Sequence, residues 1–152
     1  MRFLVIEGDH FERQFLSETL TDALPEVDIV QLKNAGEFLL LTQDRLPQID
    51  VLITEHFLAL MEVTEDHEER YAKLKANFPE VVIGWDHHEA AERIIRYMRK
   101  MGLNIPVIIY THSERDYIDK DVLLDPRVQY CSKDLEADTL LHCIRESLSV
   151  KS

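Results

Sequence analysis

The chain has 152 residues, 45% of them hydrophobic and 30% charged, the balance of one globular domain with enough apolar mass to offset its ordering entropy. That balance excludes disorder over the whole chain, and with only 4 Gly and 5 Pro it is not a fibrous or low-complexity protein. The 17 Lys and Arg against 29 Asp and Glu leave a net charge of −12, which disfavours nucleic acid and anionic membranes as partners and leaves basic protein surfaces and divalent metals open.

Strand signals alternate with helix signals. Phe3-Leu4-Val5-Ile6 is a short continuous apolar run, as expected of a strand buried on both faces. Glu7-Gly8-Asp9 is a polar turn after it. Residues 11–24 place Phe11, Phe15, Leu16, Leu20, Ala23 and Leu24 at the spacing of one helical face, and Pro25 ends that helix. A second strand is expected at 27–31, then a helix capped by Asn34 and carrying Phe38, Leu39 and Leu41. A third strand runs over 49–54 and stops at Glu55.

Residues 56–84 form an atypical segment. His56 to Met61 is apolar, and Glu65-Asp66-His67-Glu68-Glu69-Arg70 reads as an exposed helix start, with acids at the positive end of the dipole. That helix extends to about Ala76, with Tyr71 and Leu74, or Ala72 and Ala76, facing inward. Phe78-Pro79 breaks it, and Val81-Val82-Ile83 reads as a short extra strand. Asp86 caps a helix from His87 to Lys100, with Ile94, Ile95, Met98 and Met101 inward and Gly102 as its terminator. Strands at 105–110 and 127–131 follow, then a last helix from Leu135 to Leu148.

This alternation implies a doubly wound α/β sheet of five parallel strands. The functional crevice of such a sheet lies at the carboxyl ends of the strands. Those ends carry Glu7, Gly8, Asp9, Glu55, Thr111, His112, Ser132 and Lys133.

In that order they resemble the receiver domains of two-component response regulators. The resemblance implies a sheet in the order 2-1-3-4-5 and a single domain over 1–152, with 56–84 inserted. In that family an Asp at the end of the third strand accepts a phosphoryl group, and acids after the first strand hold Mg²⁺. A hydroxyl and a Lys bind the phosphoryl oxygens. Arg13, Asp50-Val51-Leu52-Ile53 and Ile105-Pro106-Val107-Ile108-Ile109-Tyr110 have matching context, and Thr111 and Lys133 match the hydroxyl and the lysine. The departures fall on the chemistry. Glu55 stands at the phosphoacceptor position, Gly8 replaces one acid of the pocket beside Glu7 and Asp9, and Asp134 follows Lys133 where the family has Pro. A longer acceptor side chain moves the nucleophile by about an ångström, which can cost on the order of 10²-fold.

The reading is therefore a receiver-like signalling protein, not an enzyme, that works by contact with a protein such as a sensor kinase, an output protein or a second copy, without ordinary Asp phosphorylation. It needs no cofactor beyond weak Mg²⁺ at Glu7, Asp9 and Glu55. One alternative is phosphoryl uptake on Glu55 or Asp9, and another is an adaptor unrelated to phosphorelay. The two cysteines and the absence of a signal or membrane-spanning segment fit the cytoplasm. His56, His67, His87 and His88 lack the short spacing of a structural metal site, and neighbouring helical residues point about 100° apart; they read as solvated. The apolar residues of 56–84, Phe57, Leu58, Leu60, Met61, Tyr71 and Phe78, with Trp85 just after them, are expected either to offer a partner an apolar patch with an acidic rim or to complete the core.

Overall fold

The computed structural model describes residues 1–44, 46, 48–83 and 89–150. Five parallel strands lie in the order β2-β1-β3-β4-β5: β1 (Arg2–Ile6), β2 (Asp28–Leu32), β3 (Val51–Thr54), β4 (Val107–Thr111) and β5 (Val128–Ser132). The longer helices are α1 (His10–Ala23), α2 (Ala35–Asp44), α3 (His67–Asn77), α4 (Ala90–Lys100) and α6 (Ala137–Val150). A 3-10 turn (Arg115–Tyr117) and the short α5 (Lys120–Leu123) join β4 to β5.

The strand period of two divides the apolar runs between two cores. Phe3, Val5, Val51, Ile53, Ile108 and Tyr110 face α1 and α6, where Leu16, Leu20, Leu140 and Ile144 meet them. Leu4, Ile6, Leu52, Val107 and Ile109 face the other way, onto Phe38, Leu39, Ile94, Ile95 and Met98. Burying each large side chain contributes about 1.5–3 kcal/mol. Cys131 and Cys143 are buried free thiols of the first core, and burial pushes Cys131 up to about 12, so neither is a ready nucleophile.

The atypical segment folds onto the second core. Leu58, Leu60, Met61, Leu74, Phe78, Val81 and Val82 are buried there, and Tyr71 packs against them. Of the two inner faces open to α3, the structure selects Tyr71 and Leu74; Ala72 and Ala76 are exposed. The segment therefore contributes to the core, while its Phe57, Val63 and Ile83 remain exposed. Trp85 lies outside the described residues, as do the cap at Asp86 and the helix start at His87 and His88.

Three other expectations are corrected. Residues 81–83 form a turn and coil, because Val81 and Val82 donate back to the Phe78 carbonyl in place of a sheet ladder. Met101 lies beyond the end of α4 and is 50% exposed. Phe11 and Phe15 are 79% and 59% exposed. Arg13 donates from Nη1 to the Glu7 carbonyl at 2.8 Å, so α1 turns Arg13, Leu16 and Leu20 inward and its two phenylalanines outward.

Gly102 ends α4 as expected. Its φ of 79° lets Leu103 N reach the Met98 carbonyl and Gly102 N reach that of Arg99, a closing turn that favours glycine.

Gly36 has a different role. Ala35 and Gly36 donate their amide hydrogens to the carbonyls of Ala59 and Leu60, while Asn34 Oδ1 accepts from Glu37 N. The free N–H groups of the first turn of α2 are thus satisfied by the loop after β3. A Cβ on Gly36 would lie 2.5 Å from the Leu60 oxygen. Gly36→Ala should therefore lower the unfolding free energy by about 1–3 kcal/mol, the usual range for overpacking, with a lower urea midpoint and an unchanged slope. An unaltered midpoint would show that the loop yields freely.

Candidate functional site

The carboxyl ends of β1, β3, β4 and β5 converge on one ammonium. Lys133, just after β5, places Nζ 2.5 Å from Glu7 Oε2, 2.6 Å from Glu55 Oε2 and 3.0 Å from Glu12 Oε2. The Lys133 and Glu7 side chains are 6% and 5% exposed, and Glu55 is nearly as buried. The two edge strands pair with their neighbours over five residues each, in parallel register, and this holds the strand ends level.

Both oxygens of Glu55 accept hydrogen bonds. Its Oε1 accepts from the Thr111 hydroxyl and from His56 N at 2.7 Å, while Oε2 accepts from Lys133. Thr111 Oγ1 in turn accepts from Ser113 N at 3.1 Å. Glu7 Oε1 accepts from Asp9 N at 3.0 Å. Burial raises the Glu7 carboxyl above its usual range, against the pull of Lys133. Burial alone would lower the Lys133 ammonium, but its hydrogen bonds to Glu55 and Glu7 outweigh that and hold it above the ordinary lysine value.

Glu7, Glu55, Thr111 and Lys133 are thus brought together. Asp9 is not: it is the N-cap of α1, where its Oδ1 accepts from Glu12 N at 2.9 Å. Glu12 takes its place in the cluster. Glu12 stands three residues after the cap, at the capping-box spacing that would aim its carboxylate back at the Asp9 N–H. Its carboxylate turns instead to Lys133 and to His112 Nε2, at 2.9 Å. His112 Nδ1 lies 2.8 Å from Asp134 Oδ1, so the imidazole bridges α1 and the loop after β5. Its hydrogen bonds to Asp134 and then Glu12 raise its pKa.

The donor set does not fit Mg²⁺. Glu7, Glu12 and Glu55 offer oxygens within 4.8 Å of one another, but the Lys133 ammonium, 2.5–3.0 Å from all three, balances one of their charges and stands where an ion would have to sit. Asp9 is engaged in capping and Gly8 contributes no oxygen. Octahedral Mg²⁺ would have to compete with a lysine held at hydrogen-bond distance by every candidate ligand.

His56 is neither solvated nor part of a metal set. It is 2% exposed, with Nε2 3.0 Å from Glu92 Oε1, itself 1% exposed. The contact is at ion-pair distance without the alignment of a hydrogen bond. His56 Nδ1 lies 3.3 Å from Ser113 Oγ, which connects this pair to Thr111 and Glu55. His67 sits beside the Thr64 carbonyl, with Nδ1 at 2.6 Å.

The fold is that of response-regulator receiver domains. The receiver domain of a Francisella response regulator is similar over 99% of this chain and 98% of its own, with a TM-score of 0.67 and 15% identity. A response regulator receiver domain protein from Clostridium thermocellum covers 99% and 95%, with a TM-score of 0.64 and 18% identity. A response regulator receiver protein from Sinorhizobium medicae covers 100% and 97%, with a TM-score of 0.64 and 11% identity. No protein-family model and no curated protein matches the sequence. No described helix is long and apolar enough to cross a membrane.

Proposed function

We propose that this chain is a receiver-like signalling module that acts through protein contacts and is not switched by phosphorylation. One observation carries the reading. The Glu55 carboxylate already bonds the Thr111 hydroxyl and the Lys133 ammonium, the two groups that would receive phosphoryl oxygens in a receiver. A carboxylate with both oxygens occupied is a poor nucleophile, and an incoming phosphoryl group would have to displace those donors. The protein contact itself is favoured by α1, where Phe11 and Phe15 are exposed beside the acids Glu12 and Glu18. A sensor kinase, an output protein or a second copy could supply the partner surface.

Incubation with acetyl phosphate and Mg²⁺, followed by intact mass spectrometry, tests the reading. The native chain is expected to stay unmodified. Gly8→Asp combined with Glu55→Asp should gain an adduct; a Cβ at Gly8 meets the Lys33 carbonyl at 3.3 Å, a contact that a small backbone shift relieves. A stable adduct on the native chain that disappears in Glu55→Gln would overturn the reading.

A further inference from the structure

The atypical segment builds a second concavity, apart from the Lys133 cluster. It lies between α2 and α3, lined by Gly36, Leu40, Met61 and Leu74 with Arg70 and Lys73. Its volume is about 170 Å³. An apolar cavity of roughly 150 Å³ is enough to accept benzene. The walls are apolar: Met61 and Leu74 are 3% and 5% exposed at the base, and Leu40 is 46% exposed at the lip. The wall that Gly36 leaves bare of a side chain is a condition of the close approach described above.

The polar part of the lining is basic in an otherwise acidic protein. Arg70 and Lys73 are cations and Glu37 is the one acid among the lining residues, with Asn34 and Asn77 neutral. Glu37 is engaged through Oε2 with Lys33 N at 3.0 Å, and Asn34 caps Glu37 N. The two cations stand three residues apart and so share one side of α3. Both are loosely held. Arg70 Nη1 reaches Thr64 Oγ1 at 3.3 Å, with Asp66 nearby, and Lys73 reaches Glu69 at 3.5 Å with both side chains largely exposed. The exposed Lys73–Glu69 pair is readily exchanged for another anion, and Arg70 gives up only a long bond to a neutral hydroxyl.

We propose that this groove binds a small anionic amphiphile: one aromatic ring or a short alkyl chain, bearing a carboxylate that meets Arg70 and Lys73. The site stands independently of the reading of Glu55. It also has a route to that cluster, because the loop that carries the Ala59 and Leu60 carbonyls to α2 begins at Glu55 and His56. A ligand wedged between α2 and α3 would bear on that loop.

The test is a ¹H–¹⁵N NMR titration of the full chain with hexanoate and benzoate, beside hexanol and hexylamine. Hexanoate or benzoate should give saturable shifts confined to the lining residues, with a Kd of about millimolar. Arg70→Gln with Lys73→Gln, both at the rim, should weaken hexanoate about tenfold, the scale of a lost charge-assisted contact, and leave hexanol unchanged. The proposal fails if the carboxylates give only scattered, non-saturating shifts. It fails equally if hexylamine or hexanol binds as well as hexanoate, or if the double variant binds hexanoate undiminished.

Discussion

Lys133→Met is expected to lower the unfolding free energy by about 3–5 kcal/mol, the range for removing one partner from a buried ion pair. The methionine fills similar space, so the loss is electrostatic. Glu7, Glu12 and Glu55 would remain within 4.8 Å of one another with no cation among them. Two of the three are nearly inaccessible to water. The variant should regain stability as pH falls, because protonating these carboxyls relieves their repulsion. Urea melts of both proteins at pH 7 and pH 5 measure this. A variant as stable as the parent at pH 7 would show that the carboxylates take up protons or water at little cost.

The second large effect concerns His56. His56→Ala should cost about 3–5 kcal/mol, since it leaves Glu92 buried beside a cavity with no ion partner. The pair also gives the native protein a pH dependence. Burial alone would lower the His56 pKa, but Glu92 outweighs it, with smaller help from Glu55 and Asp119, so the folded-state value lies above 6.5. A histidine raised in this way contributes stability that is fully present below its unfolded pKa. That contribution is lost as pH rises through the folded value. Unfolding free energy should therefore fall from about pH 6.5 upward. His112 is shifted in the same direction, but its side chain is 59% exposed and solvent screens most of the effect. Melts across this range for the parent, His56→Gln and His112→Gln separate the two. If the pH slope survives in His56→Gln, the buried pair is not its source.

The central strands were legible because β1, β3 and β4 are buried on both faces and so consist of unbroken apolar runs. Their order followed from the strand–helix alternation together with the resemblance. The helical faces were less legible. Phe11 and Phe15 lie at helical spacing with each other, but the rotation of α1 is decided by the hydrogen bond of Arg13 to the Glu7 carbonyl, a contact made through the fold. The extra strand at Val81-Val82-Ile83 was an error of period, since a short apolar run serves equally well as a buried turn. Within the site, Glu55, Thr111 and Lys133 were placed by their strand ends. Glu12 and the partnership of His56 with Glu92 depend on side-chain reach between elements far apart in the chain, which no local pattern encodes. Residues 112–126, to which the sequence assigns no element, hold a 3-10 turn and one short helix, too brief to show periodicity.

The Lys133 cluster also bears on folding kinetics. Lys133 and Glu7 are 126 residues apart in sequence, and their contact needs β5 seated on β4 and β4 on β3. An interaction closed only when the last strand docks is absent while the first strands nucleate. Its loss then falls on the rate of opening and not on the rate of collapse. In a chevron, Lys133→Met should raise the unfolding limb and leave the refolding limb nearly in place. On this view the buried lysine is a latch on the native state's lifetime.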